Sequence, residues 1–279
     1  MRNIKQKILC GLLSLGLLSC ARLSVPPQLS YPSKLPAKTL RGLRQIPLGK
    51  PRQTQSYRSY TQTEKNTSKQ WHLRTLNMEQ AWKHTKGNPD LIVAVIDSGI
   101  DKEHPAFKGR LIEGFNYVQW QGTPQDDHSH GTHVAGIIAA NTPESQGIAP
   151  QVKLLALKVL DQNGFITRED SLSSAIIYAM EHQASLINIS IGSDTLTDCL
   201  FNRSLQSAIT EATSRGITVV TSAGNAGYGQ VKSQCGSQSN INQIPVIATD
   251  ESDKIASFSN YSNQDHPKTI AAPGVNIFS

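Results

Sequence analysis

The sequence predicts an α/β fold, a parallel sheet covered by helices on both faces. Three observations carry that expectation. Residues 91–96 form a continuous apolar run rich in β-branched side chains, the mark of a strand buried on both faces. From Gln70 onward such runs alternate with helical patterns across short loops, as parallel strands with crossover helices require. Residues AVILMFWYC make up 38% of the 279 positions, enough for a sizeable core, and no apolar run is long enough to span a bilayer.

The elements follow in order. Asn77-Met78-Glu79-Gln80 has capping-box spacing ahead of Ala81 and Trp82, which predicts a helix start. The strand at 91–96 ends in Asp97-Ser98-Gly99. Small and apolar residues over 134–140 predict a closely packed helix. Residues 152–160 read as the next strand, stopped by Asp161-Gln162-Asn163-Gly164. Leu172, Ala175, Ile176, Ala179 and Met180 keep helical spacing, and so do Leu205, Ala208, Ile209 and Ala212, with Gly216 placed to end that helix. Residues 185–191, 217–221 and 246–249 read as strands, and the ending Val275-Asn276-Ile277-Phe278-Ser279 has the character of one. No internal repeat is evident.

Charge divides the chain. Residues 1–20 carry +3 (Arg2, Lys5, Lys7), residues 21–75 carry +10 and residues 76–279 carry −7, which together make the net +6. The part expected to fold is acidic, so the basic balance gives no support to a nucleic-acid-binding domain. The positive start, the apolar stretch 8–18 and the following Ser19-Cys20 read as an export signal over 1–19. Cys20 after a small residue resembles a bacterial lipobox, with Cys20 the lipidated first residue and the membrane reached through that anchor. The alternative is ordinary cleavage nearby and secretion. Residues 20–69, rich in Pro, Ser, Gln and Thr, read as a basic linker rather than a folded propeptide. Residues 70–279 read as one domain, expected to be monomeric. In an exported chain Cys199 and Cys235 are permitted a disulfide.

Functional groups of a parallel sheet gather at the carboxyl ends of its strands. Asp97 ends the first buried strand. His130 and His133 open a helix in His130-Gly131-Thr132-His133-Val134-Ala135-Gly136. Asn225 follows a strand in Ser222-Ala223-Gly224-Asn225. A carboxylate, an imidazole and a fixed amide are three parts of an acyl-transfer site. Each also has a plain reading as a cap or turn residue. His128, His130 and His133, preceded by Asp126-Asp127, make a second pattern, that of a zinc-dependent hydrolase.

Taken together the motifs resemble the subtilisin-like serine proteases. Val93-Ala94-Val95-Ile96-Asp97-Ser98-Gly99-Ile100-Asp101 and the His130–Gly136 segment look like that family's Asp and His motifs. Ser190-Ile191-Gly192, Ala223-Gly224-Asn225 and Ala272-Pro273-Gly274 follow in the family's order, so the resemblance covers about residue 70 to the end. It implies that Asp97 orients His130, that His130 is the general base, that Asn225 donates to the oxyanion, and that His133 is structural. It also implies a polypeptide substrate bordered by Ser190, Ile191, Gly192 and by Ser222, Ala223, Gly224, and no cofactor. The family's Gly-Thr-Ser nucleophile motif does not occur in the 279 residues. The expectation is therefore a peptidase chain cut short of its serine and inactive as given, with Ser279 not the nucleophile. The rival is a non-catalytic exported lipoprotein that binds extended peptides. A calcium site is not expected, because Ala106 follows His104-Pro105 where an acid is usual and the loop 141–147 is short.

Overall fold

A computed structural model describes residues 69–191, 203–227, 242–261 and 269–279. The expected export signal, Cys20, the linker up to residue 68, Gly192, Cys199 and Cys235 lie outside the described residues.

Two short helices, α1 (Trp71–Thr75) and α2 (Met78–Ala81), precede strand β1 (Ile92–Asp97). A 3₁₀ turn (Pro105–Phe107) and β2 (Leu111–Asn116) lead to α3 (His130–Ala139). Then come β3 (Lys153–Lys158), α4 (Ser171–Glu181), β4 (Leu186–Ile189), α5 (Arg203–Ser214), β5 (Thr218–Ser222), β6 (Gln243–Thr249) and β7 (Ile270–Pro273). The seven strands form one sheet in the order β2-β3-β1-β4-β5-β6-β7, and every pairing is parallel. The expected α/β architecture is the observed one.

β1 shows why the sheet is covered twice. Val93 and Val95 point to one face and pack with Ala135, Ile138 and Ala139 of α3 and with Met78. Ala94 and Ile96 point to the other and pack with Ala175, Ile176 and Ala179 of α4 and Ala208, Ile209 and Ala212 of α5. Burying each Val or Ile contributes about 1.5–3 kcal/mol. The α5 terminus is built as its Gly216 suggested. Gly216 has φ +82°, its N–H donates to Thr213 O, and the Ile217 N–H donates to Ala212 O, the pattern of a Schellman cap.

Two local expectations are corrected, and one strand was not expected. The capping box at Asn77 does not form: Asn77 adopts a left-handed φ of 55° in the tight turn from α1 to α2, and its side chain makes no cap bond. β2 was not foreseen, because Glu113 and Gly114 break its apolar run at a register shift against β3. The last strand is Ile270–Pro273 paired with β6; residues 275–279 leave the sheet. They lie along α1 and α3, with Trp71 Nε1 donating to Val275 O (3.2 Å) and Ser279 Oγ donating to His133 O (2.9 Å).

The topology also places a crevice. From β1 the chain departs to one side, toward β2; from the adjacent β4 it departs to the other, toward β5. Loops that diverge in this way leave an opening at the strands' carboxyl ends. Asp97 closes β1 at that edge, and Ser190 follows β4.

Candidate active site

Asp97 is fully buried at the end of β1. Its Oδ1 accepts 2.7 Å bonds from the Ser98 N–H and from His130 Nδ1. Its Oδ2 is buried with no donor among the described residues, so the carboxylate's bonds converge on one oxygen. An N–H on Nδ1 leaves the lone pair of the His130 ring on Nε2. The His130 side chain is 29% exposed, within reach of solvent and ligand.

α3 approaches β1 this closely because Gly131 has no side chain. A methyl there would run into the Gly99 carbonyl. Gly99 itself has φ +105° and lies against the backbone at Pro124. A further carboxylate anchors the helix start. Asp126 Oδ1 accepts from the N–H groups of His128 (3.0 Å) and Ser129 (2.9 Å) and from Ser98 Oγ (2.8 Å). Asp126 Oδ2 accepts from the Thr132 N–H (2.9 Å) and its hydroxyl (2.5 Å). Ser98 Oγ in turn accepts the Gly131 N–H at 2.9 Å. These bonds hold Ser129 at a left-handed φ of 77°, a conformation costing about 1–3 kcal/mol in a non-glycine residue. At the far end of α3, Arg110 donates to Ala139 O (2.8 Å), pinning the last turn.

The electrostatics follow from these contacts. Burial opposes charge on His130, but the hydrogen bond and charge of Asp97, with the charge of Asp126, outweigh it and raise its pKa above the ordinary histidine value. Burial would push Asp126 up, yet the bonds from Thr132, His128 and Ser98 hold it below the usual carboxylate range. His133 is lowered by burial and by His130, against a bond to Ile277 O. His72 in α1 is buried with neither nitrogen bonded among the described residues, and burial followed by His133 pushes its pKa down to about 4.

The other predicted residues that are described fall on the same edge of the sheet. Ile96 pairs with Ile189 and Ile189 with Thr221, so Asp97, Ser190 and Ser222 follow at one level. Two strand spacings separate Asp97 from Ser222, about 9.6 Å. Ser190 Oγ accepts from Asn188 Nδ2 (2.8 Å), and Ile191 is half-buried beyond it. After Ser222, Ala223 and Gly224 are buried and Asn225 is exposed. Gly224 turns the chain with φ +97°. Asn260 secures this loop with three bonds. Its N–H donates to Gly224 O, its Nδ2 to Ala223 O, and its Oδ1 accepts from the Ala226 N–H.

The zinc pattern is not assembled. His130 Nδ1 faces Asp97 and His133 Nε2 faces Ile277 O at 3.1 Å. The His128 ring lies 6.3 Å from that of His130, and no three His, Cys, Asp or Glu among the described residues converge on one point. At the loop 141–147, Gln70 takes the polar contacts: its Nε2 donates to Gln146 O (3.0 Å) and its Oε1 accepts the Gln146 N–H (3.1 Å).

Four residues of this site carry no assignment in the sequence reading: Ser98, Asp126, Lys158 and Asn260. Asp126 was visible only as half of an acidic pair. Lys158 left a signal in being a charge directly after the apolar run Leu154–Leu157, while Asn260 left none.

Comparison with known proteins gives the same frame. The 41% identity to the thermophilic serine proteinase of Bacillus sp. (strain AK1) extends over 204 residues, 72% of this chain and 48% of that one. Thermitase of Thermoactinomyces vulgaris is 36% identical over 221 residues, 76% of this chain and 73% of the relative. Against the first of these the chain spans about half the relative's length. Among solved structures, a cold adapted subtilisin-like serine proteinase superposes with a TM-score of 0.57 at 27% identity, covering 68% of this chain and 65% of the other. The Prenylagaramide maturation protease PagA gives 0.58 at 29%, covering 72% and 68%. The subtilase family model matches residues 88–279, more than half of the sequence. With the fold, the sheet-edge site and this match in agreement, the chain belongs to the subtilase family.

Proposed function

We propose that the protein is a serine-type endopeptidase acting through an acyl-enzyme. The observation that carries this reading is the 2.7 Å contact between buried Asp97 and partly exposed His130 at the sheet's switch point, in a chain of this family. Asp97 fixes the imidazole with its proton on Nδ1 and stabilises the imidazolium that forms. His130 takes the proton of the attacking hydroxyl on Nε2 and returns it to the leaving amine. Asn225 donates to the oxyanion of the tetrahedral intermediate. Extended substrate lies along Ser190–Gly192 and Ser222–Gly224, pairing as an added strand. His133 and Ser279 hold structural contacts with each other and take no part.

The nucleophile of this mechanism belongs to a Gly-Thr-Ser motif, which does not occur among the 279 residues. Residues 1–19 direct export, Cys20 carries a lipid, residues 20–69 tether the peptidase domain, and the substrate is polypeptide outside the cytoplasm. No cofactor enters the chemistry.

The test uses the full natural reading frame with a fluorophosphonate probe and casein. The expected outcome is covalent labelling on a serine together with casein hydrolysis, both lost in His130→Ala. A chain that carries the serine motif and folds, yet neither labels nor cleaves, overturns the proposal.

A further inference from the structure

Behind the Asp97–His130 pair sits a cation that this chemistry does not use. Lys158 ends β3 directly beside Asp97 in the β1–β3 pairing, and its side chain is 2% exposed. Its Nζ donates to Ser98 O at 2.6 Å and to Asp127 Oδ1 at 2.6 Å, while Asp127 itself is half in solvent. Taking an ammonium out of water is costly, and an apolar chain of similar volume often serves stability as well or better. What the lysine adds is direction. It joins the carbonyl of Ser98, whose own N–H supports Asp97 Oδ1, to Asp127 in the loop three positions ahead of His130.

We propose that Lys158 is a positioning residue for the acid–base pair, holding the Ser98 peptide and the 126–129 loop at the separation that keeps His130 Nδ1 on Asp97. The consequence for turnover rests on the peptidase reading; the effect on the pair does not. Both bonds are charge-assisted and short, so they restrain geometry more tightly than neutral ones. Ser98 and Asp126 form a parallel tie through Ser98 Oγ, so Ser98, the residue after Asp97, is held through both its carbonyl and its side chain.

The sign of one measurement separates positioning from simple charge. The groups acting on His130 are Asp97, Asp126 and His133, with the His128 ring 6.3 Å away. Removing a nearby cation, and freeing the Asp127 charge, favours protonated His130 and raises its titration point. Loosening the Asp97 contact does the opposite, because that contact is what raises it. The imidazole of His130 is titrated by NMR in wild type and in Lys158→Met. A titration point moved down toward that of a free histidine, with a weakened downfield Nδ1–H resonance, is the expected result. One that moves up or stays in place overturns the proposal. Asp127→Asn lies half in solvent and tests the same tie if the methionine variant does not fold. In that variant the His130 Nδ1–H is expected to exchange with water at least about threefold faster, since loss of a restraint opens the pair more often, and an unchanged rate overturns the proposal. In a catalytically competent chain Lys158→Met lowers kcat about tenfold at constant KM, the mark of misorientation rather than lost binding. A wild type without turnover that still shows the NMR shift removes the peptidase reading and leaves the positioning role standing.

Discussion

The two halves of the site are built differently. Asp97 and His130 meet inside the protein, where Ser98, Asp126 and Lys158 tie the strand end to the helix start from several directions. Asn225 stands exposed on a loop whose side-chain clasp is Asn260, with backbone bonds to Val246 and Phe258 at its two ends. In the proposed mechanism the acid–base half must hold a charge pair in a fixed tautomer, and a buried network supplies that rigidity. The proposed amide half has only to offer one donor at the surface, and a glycine turn with a polar clasp suffices. Damage should therefore spread from the first half and stay local in the second.

The largest effect expected is that of Asp97→Asn in the full natural chain. It keeps the shape but offers His130 a donor in place of an acceptor, and kcat should fall about 10⁴-fold. The pH profile should move as well. His130 works as a base only when neutral, and its raised pKa puts the acid limb of kcat/KM above the ordinary histidine value. Without the Asp97 charge that limb should move down; a limb that stays in place would show that Asp126, not Asp97, sets it. Next is Asn225→Ala, with kcat reduced about 10²–10³-fold, the range set by subtilisin's own oxyanion asparagine. KM and melting temperature should hardly change, because the side chain is exposed. A large loss of stability in that variant would erase the contrast between the halves. The smallest is Asn260→Ala. It removes two side-chain bonds while the backbone bond to Gly224 remains. The loss expected is about 1–2 kcal/mol in stability and roughly tenfold in kcat. Equal losses from Asn260→Ala and Asn225→Ala would mean that the loop's position is the whole of the amide's contribution.

The same contrast explains what was legible in the sequence. Asp97, His130 and Asn225 each sit in a run of small residues with a fixed neighbour pattern, and β1 announces itself by unbroken apolar character. Their supports do not. Ser98 and Lys158 are 60 positions apart in sequence, and Ala223 and Asn260 37 apart, so no local spacing joins them. β2 was hidden because its glycine packs against the Ala156 backbone where a strand pattern would show a side chain. The capping box at Asn77 had the right letters, but the turn between α1 and α2 rotated the side chain away from the amides it would have served. Residues 275–279 read as a strand from composition alone; the pairing with β6 ends at Pro273, two residues before Val275.

The place of β1 in the sheet has a bearing on the order in which the molecule is made. β1 is synthesised before either of its neighbours. β3 begins to pair with it at Lys153, 61 positions after Ile92, and β4 at Leu186, 93 positions after Val93. At the ribosome's pace of about 5–20 residues per second, the most apolar segment of the domain waits about 5–20 s for its second partner. The strand that bears Asp97 is thus the first of the seven to emerge and the one that waits longest for its second neighbour, so the nascent chain is exposed to misassociation at the point on which the proposed chemistry depends.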